Sequence, residues 1–161
     1  VTFIAPRHPE QGEQIAAKLA DLQPKRRALR EGPPAGGVWI ADTLGELGLF
    51  FRLAPVAFIG KSLAGRGGQN PFEAARLGAA IATGPHTENF QAAVAQLEAA
   101  GALMRVADGD ALASWVRTML RDPEKARLTG EAALAATAAD VGLPERLAAS
   151  LLALMDRSKG S

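Results

Sequence analysis

The chain has 161 residues, of which 48% are hydrophobic and 22% charged, and its formal net charge at pH 7 is +1. These values predict one globular domain, exclude wholesale disorder and give no electrostatic footprint for nucleic acid. The sequence contains no cysteine, which excludes disulfides and thiolate metal sites. The longest apolar stretch, residues 47–60, is interrupted by Arg52 and Pro55, and it is shorter than the roughly 20 residues that span a bilayer.

Short apolar runs alternate with segments of helical spacing along the chain. The runs predict strands at residues 2–5, 38–41, 56–59, 80–83 and 103–106, with a short extended piece near 27–29. Helices are predicted at residues 10–22, 45–52, 71–77 and 89–100, followed by a helical C-terminal tail at 110–120, 124–139 and 144–155. This alternation predicts an α/β fold with a Rossmann-like, doubly wound parallel sheet. Because the chain opens directly in a strand without an initiator Met, we expect a fragment that lacks the first strand of its fold.

Ligands of such sheets bind at the carboxyl ends of the strands, so the loops that follow the strands are the candidate sites. In the first loop, Arg7 is restrained between Pro6 and Pro9 and can meet an anion bidentately. We expect its neighbour His8 to be structural or to face solvent.

The second loop contains Thr43, Leu44, Gly45 and Glu46. Thr43 and Glu46 match a capping box, in which the glutamate bonds only the backbone of the cap residue. Gly45 points to a ligand instead, because glycine in a first helical turn costs stability unless something must approach the backbone closely. Both interpretations remain open from the sequence.

The third loop, residues 60–70, is glycine-rich and leads into a predicted helix start. Asn70 is predicted at the cap, Pro71 at the first helical position and Glu73 three residues after the cap. The pattern is a capping motif, but the glycines at 65–68 give more backbone freedom than a cap requires. A helix start suits a phosphate, and Glu73 could accept hydrogen bonds from both ribose hydroxyls. We therefore expect the donor side of a nucleotide-sugar enzyme.

Other polar residues near these loops carry weaker predictions. Lys61 and Arg66 flank the glycine-rich loop and could either add positive charge near a ligand or be solvated, while Gln69 is expected to hydrogen-bond within the loop. In the fourth loop, which also contains Asn89, we expect a helix cap at Thr87 and a satisfied His86.

Two cofactor motifs and a metal motif are not supported. The glycines at 65–68 do not complete G-x-G-x-x-G, and no G-x-x-x-x-G-K-[ST] occurs, which disfavours nicotinamide cofactors and nucleoside triphosphates. Asp108 and Asp110 imitate the D-x-D of metal-dependent sugar transferases, but they precede a predicted helix and are better explained as its cap. The sequence therefore predicts no metal site and no cofactor.

Four motifs occur together in one order: Ala5-Pro6-Arg7-His8-Pro9, residues 42–48 (DTLGELG), residues 67–73 (GGQNPFE), and Gly84-Pro85-His86 with Asn89-Phe90. Over roughly residues 2–121 this combination resembles 3-deoxy-D-manno-octulosonic acid (Kdo) transferase. Gln69 stands where many members have His, and Lys61 where many have Gly. The resemblance implies a two-domain GT-B glycosyltransferase that moves Kdo from CMP-Kdo to a lipid A precursor in lipopolysaccharide biosynthesis, at the cytoplasmic face of the bacterial inner membrane.

The resemblance further implies that residues 1–161 form a single donor-binding domain, the C-terminal half of the GT-B fold. The residues that would then contact the CMP moiety are Pro6, Arg7, Leu44, Gly45, Glu46, Asn70, Pro71, Phe72 and Glu73. The family's general base is a glutamate of the N-terminal domain, which also carries the membrane-anchoring segment and meets the lipid acceptor. We therefore expect this chain to bind CMP-Kdo or CMP but not to catalyse transfer alone.

Two alternatives remain at this stage. One is the donor domain of another GT-B enzyme that uses a UDP-sugar, either a transferase or a 2-epimerase, and a preference for UDP over CMP would favour it. The other is a non-catalytic Rossmann-like binding module. In the two-domain case the tail helix at 144–155 could form an interdomain surface.

Overall fold

The structure is a computed structural model that describes residues 1–65, 67–138, 148–149, 151–152 and 155. The described residues form the strands β1 Thr2–Ile4, β2 Lys25–Arg26, β3 Val38–Ile40, β4 Val56–Ile59, β5 Ala80–Thr83 and β6 Leu103–Arg105. They form the helices α1 Gly12–Lys18, α2 Leu47–Leu53, α3 Phe72–Ala75, α4 Gln91–Ala99, α5 Gly109–Arg121 and α6 Pro123–Thr137. Short 3-10 turns lie at Pro9–Gln11, Ala20–Leu22 and Glu88–Phe90.

The paired strands are all parallel, and they form two sheets of three strands each. The strand orders are β1-β3-β2 and β4-β5-β6. Ile4 lies opposite Ile40 in the first sheet, and Ile59 lies opposite Thr83 in the second. The predicted parallel α/β fold with C-terminal helices is confirmed. A single continuous sheet is not observed among the described residues, because no hydrogen-bonded ladder joins β1 to β4.

Helices cover both faces of the second sheet. This explains why all four residues of β5 are buried and why all but Thr83 are apolar. On one face Ile81 packs with Leu97 of α4. On the other face Ala80 and Ala82 pack with Trp115 of α5. The strand alternates between two cores, so its carboxyl end and the loop beyond it are held from both sides.

Three aromatic rings fix α2 against the first sheet. Phe50 of α2 lies 5.4 Å from Phe3 of β1 and 5.7 Å from Trp39 of β3, measured between ring centroids. Phe50 and Trp39 are buried. Aromatic pairs at these distances stabilise beyond the area that they bury. The cluster therefore holds α2 against the sheet, and with it the end of the loop that connects β3 to α2.

Several predicted boundaries are wrong. The extended piece expected near 27–29 lies at Lys25–Arg26, and the helix expected over 10–22 breaks after Lys18 into a 3-10 turn. The helix expected at 45–52 begins at Leu47, because Gly45 has φ +80°, outside the helical region. The predicted helix at 144–155 and the end of the one at 124–139 fall largely outside the described residues.

Candidate functional site

The loops after β1 and β4 meet at one point. Arg7 Nη1 donates a 2.8 Å hydrogen bond to Oε1 of Gln69. Arg7 is exposed, and it forms no ion pair within the described part of the chain. Its partner is a neutral amide, so no carboxylate of the described residues offsets the charge of this guanidinium. The neighbouring Pro6 is half-buried, and His8 faces solvent as predicted.

The loop after β3 begins with a buried carboxylate, Asp42, whose side chain is 0% exposed. Its Oδ2 accepts from Nε of Arg26 at 2.8 Å, and its Oδ1 accepts from the backbone N–H of Ala28 at 2.9 Å. Burial raises the pKa of Asp42, but the hydrogen bonds from Ala28 and Arg26 outweigh it, so the pKa lies below its ordinary value. A Cβ on Gly12 would lie 2.1 Å from Oδ2. Asp42 thus ties β2 to β3, and the start of α1 packs closely against its carboxylate.

Glu46, at the end of the same loop, is also paired. Arg27 donates to both its oxygens, from Nη2 to Oε1 at 2.8 Å and from Nε to Oε2 at 3.2 Å, and the Thr43 hydroxyl donates to Oε2. The Arg27 guanidinium and then the Thr43 hydroxyl lower the pKa of Glu46. Of the two interpretations left open by the sequence, the capping box is not formed: Thr43 bonds the carboxylate rather than a backbone N–H, and α2 begins only after Glu46. The carboxylate is held ionised by side chains.

The tip of this loop projects from the molecule. Leu44 is 81% exposed, and a Cβ on Gly45 would meet no atom within 4 Å. Within the described residues the backbone N–H groups of Leu44, Gly45 and Glu46 donate no hydrogen bond. No atom of the described residues approaches the backbone of Gly45 closely. The local reason for a glycine at this position is its φ of +80°.

Hydrogen bonds of Ser62 connect the loops after β4 and β5. Its buried hydroxyl donates to Ile59 O at 2.5 Å and accepts from the N–H of Gly84 at 2.8 Å. Its carbonyl accepts from the N–H of His86 at 3.0 Å. A Cβ on Gly84 would lie 2.2 Å from that carbonyl oxygen. Lys61 beside it has φ +59°, a left-handed conformation that favours glycine.

A second set of contacts holds the glycine-rich loop to the turn after β5. The N–H of Gly67 donates to Oε2 of Glu88 at 2.7 Å, and its carbonyl accepts from the N–H of Asn89 at 3.2 Å. The N–H groups of Glu88 itself and of Gly67 lower the pKa of Glu88. An open cleft of about 390 Å³ is lined by Gly67, His86, Glu88 and Asn89. Arg66 lies outside the described residues.

Thr87 occupies the cap position of the turn Glu88–Phe90, as predicted, but its side chain makes no capping hydrogen bond. Its hydroxyl accepts instead from Nη1 of Arg105 at 3.0 Å. His86 Nδ1 lies 3.5 Å from Oε1 of Glu88, and its side chain is 43% exposed.

Residues 70–73 differ from the prediction by one position. The helix cap is Pro71, with α3 beginning at Phe72, and the side chain of Asn70 accepts from the N–H of Phe72 at 3.0 Å. Pro71 is buried, whereas Glu73 is exposed. Among the described residues the Glu73 carboxylate has no hydrogen-bond or ion-pair partner. It does not return to the backbone as a capping box requires, so it is free for a ligand.

The structure therefore joins Arg7 to the segment before Asn70, but it joins Glu46 to Arg27, which the sequence did not single out. No hydrogen bond connects residues 44–46 to residues 70–73 in the part of the chain that the structure describes. The sequence signal that could have indicated these ion pairs is the pair of adjacent arginines at 26–27. It could not be assigned, because its carboxylate partners are 16 and 19 positions away in the sequence.

Asp108 of the D-x-D pair is the cap of α5, as predicted, since its Oδ1 accepts from the N–H of Ala111 at 2.8 Å, and Asp110 lies in the first turn of the helix. The described residues contain no group of three His, Asp or Glu side chains that could hold a metal ion. Among them no helix is long and apolar enough to cross a membrane.

Curated relatives of the chain are 3-deoxy-D-manno-octulosonic acid transferases. The protein of Bordetella pertussis is 38% identical over 148 residues, which are 89% of this chain and 35% of the relative. That of Haemophilus influenzae is 32% identical over 160 residues, 97% of this chain and 38% of the relative. The chain thus spans little more than a third of the length of these relatives. No family model matches the chain.

A solved structure resembles the chain over most of its length. It is the crystal structure of the C-terminal CMP-Kdo binding domain of WaaA from Acinetobacter baumannii, with a TM-score of 0.79 and 28% sequence identity. The match covers 86% of this chain and 74% of that domain. Together with the sequence relatives, this likeness places the chain in the 3-deoxy-D-manno-octulosonic acid transferase family, as its C-terminal domain.

Proposed function

We propose that this chain binds CMP-Kdo as the donor domain of a Kdo transferase that acts on a lipid A precursor. The observation that carries the proposal is the structural likeness to a CMP-Kdo binding domain over 86% of the chain. The proposal includes the single-domain organisation of residues 1–161. The acceptor lipid, the general base and the association with the cytoplasmic face of the bacterial inner membrane would belong to the remaining length of the relatives.

Arg7 is the cation we assign to the donor's phosphate or sugar-acid carboxylate. Its guanidinium is exposed, and the described residues offer it only the neutral Gln69. An arginine binds such anions through two parallel hydrogen bonds. In transfer from a CMP-sugar the leaving phosphate gains charge, and a cation fixed in advance stabilises it. Pro6 restrains this arginine at the end of β1.

Glu73 and the β3–α2 loop are assigned to the nucleoside side of CMP. The Glu73 carboxylate is exposed and can accept from two ribose hydroxyls, while Asn70, Pro71 and Phe72 hold the backbone that carries it. The unpaired N–H groups of Leu44, Gly45 and Glu46 offer hydrogen-bond donors to the same ligand. Successive N–H groups of this kind form concave sites for anions and polar groups.

Nucleotide titration of site variants tests these assignments. CMP binding to the chain should weaken by about tenfold or more in Arg7→Met and in Glu73→Ala, since each removes a charged hydrogen-bonding group. Arg117→Met and Glu13→Ala are the matched controls, because both residues are exposed and lie on helices outside the loops, and these variants should bind CMP as the unchanged chain does. Equal affinity in all four variants would contradict the assigned site.

Transfer chemistry gives a second test. The acceptor hydroxyl must lose a proton to a general base, which we assign to the unmatched part of the relatives. The chain is therefore expected to bind donor without transferring Kdo to a lipid A precursor. Measurable transfer by this chain alone would contradict that division of roles.

A further inference from the structure

The bidentate contact between Arg27 and Glu46 links a residue outside the predicted site to one inside it. Nε and Nη2 of Arg27 reach the two carboxylate oxygens at 3.2 and 2.8 Å, and the Thr43 hydroxyl bonds one of them as well. Paired, charge-assisted bonds of this type fix orientation as well as distance. The Glu46 side chain is therefore more restricted in its motion than that of a solvated loop residue or a simple helix cap.

Arg27 is itself anchored to the sheet. Its backbone N–H donates to Ile40 O at 2.9 Å, extending the β2–β3 ladder, and its carbonyl accepts from the N–H of Arg30 at 2.9 Å. The guanidinium is thus attached to a fixed point beside the carboxyl end of β3. What it holds is the last residue of a loop whose tip, Leu44 and Gly45, makes no backbone hydrogen bond through its N–H groups among the described residues.

The fold has an independent tie at the same place. Asp42 already binds Arg26 and the N–H of Ala28, so it fastens β2 to the base of the loop without Arg27. Loss of the Arg27 side chain therefore leaves the sheet connected and frees only the far end of the loop. This separation distinguishes a residue that orients the loop from one that holds the fold together.

We propose that Arg27 is a positioning residue for the nucleotide: by holding Glu46 it fixes the loop tip of Leu44 and Gly45, whose free N–H groups then meet the ligand without rearrangement. The inference rests on the proposed donor function. A loop that is ordered before binding loses less conformational entropy when the ligand binds, so the affinity is higher. Arg27 touches the loop and not the ligand, so its effect on binding passes through Glu46.

The test combines CMP affinity with ¹⁵N relaxation of the loop. Arg27→Met keeps the apolar stem and removes the guanidinium, and we expect CMP affinity to fall about tenfold. The order parameters of Leu44 and Gly45 should fall as well. Arg27→Lys retains one charged donor and should recover part of both losses. Arg117→Met, an exposed arginine on α5, is the matched control and should change neither quantity.

The outcomes separate this inference from the proposed function. Unchanged CMP affinity in Arg27→Met would overturn the positioning role. So would a loss of affinity with unchanged order parameters at the loop tip, or one that follows general melting of the β1-β3-β2 sheet. A parent chain that binds no CMP would overturn the proposed function and this inference together.

Discussion

Substitution of Asp42 by alanine should destabilise the domain more than its position in a loop would indicate. The carboxylate is fully buried and accepts from the Arg26 guanidinium at 2.8 Å and from the Ala28 N–H at 2.9 Å. Both bonds end on the ionised carboxylate, and a hydrogen bond to a charged group contributes about 1.5–3 kcal/mol. Ala28 is exposed, so water can reach its N–H after the substitution and offset most of that bond. The expected loss is therefore roughly 2–4.5 kcal/mol, more than one such bond contributes at the low end of its range.

The assay is thermal and denaturant unfolding of the parent chain, Asp42→Ala and the control Asp21→Ala. For a domain of this size the melting temperature should fall by roughly 4–18 °C in Asp42→Ala. Asp21 is exposed and unpaired among the described residues, so its substitution should change stability by no more than about 0.5 kcal/mol. Equal melting temperatures for the two variants would refute the structural account of Asp42.

The same pair gives a pH dependence of known sign. The pKa of Asp42 in the folded chain lies below its ordinary value of 3.8, so the unfolded chain takes up the proton first as the pH falls. The pair's contribution is fully present above about pH 4 and is lost as the pH drops through the lower, folded pKa. The stability difference between the parent and Asp42→Ala should therefore shrink in acid. A difference that grows below pH 4 would contradict this.

Three further predictions concern the loops after β4 and β5. Gly84→Ala should destabilise by about 1–3 kcal/mol in denaturant unfolding, because its Cβ would lie 2.2 Å from the carbonyl oxygen of Ser62; a neutral result would show that this backbone contact is loose. Lys61→Gly should stabilise by about 1 kcal/mol because φ is +59° there, and a lowered melting temperature would contradict it. Glu88→Gln should shift the Gly67 amide resonance, because that N–H donates to the Glu88 carboxylate. In the parent chain the same resonance should move only as the pH falls below the ordinary carboxyl pKa of 4.5, since the pKa of Glu88 is lowered. An unchanged Gly67 resonance in the variant would rule out the contact.

Apolar runs were sufficient to place the strands because burial on two faces leaves a continuous signal. The four residues of β5 are all buried and occupy the predicted positions. The absence of a hydrogen-bonded ladder between β1 and β4 could not be predicted in this way. Strand pairing depends on which backbones are adjacent in space and not on local composition.

Local patterns were less informative about the loops. The spacing at 45–52 fits a helix, yet Gly45 adopts a positive φ that periodicity does not encode, and the helix starts two residues later. Thr43 and Glu46 have the residue types and spacing of a capping box, but Arg27 competes for the carboxylate from 19 positions away. The capping energy of a few tenths to about 2 kcal/mol is comparable with that of a charged, bidentate pair, so tertiary contact can decide the geometry.

Nucleotide selectivity distinguishes a CMP-Kdo donor domain from the other nucleotide-binding domains considered. Calorimetric titration of the chain with CMP, UMP, UDP and NAD, repeated with Asn70→Ala and Glu73→Ala, measures both the preferred ligand and its site. A CMP-Kdo donor domain is expected to bind CMP selectively, and both substitutions should weaken that binding. Preference for UDP would indicate a donor domain of a different GT-B enzyme, and preference for NAD or binding unaffected by either substitution would contradict a CMP-Kdo site at these loops.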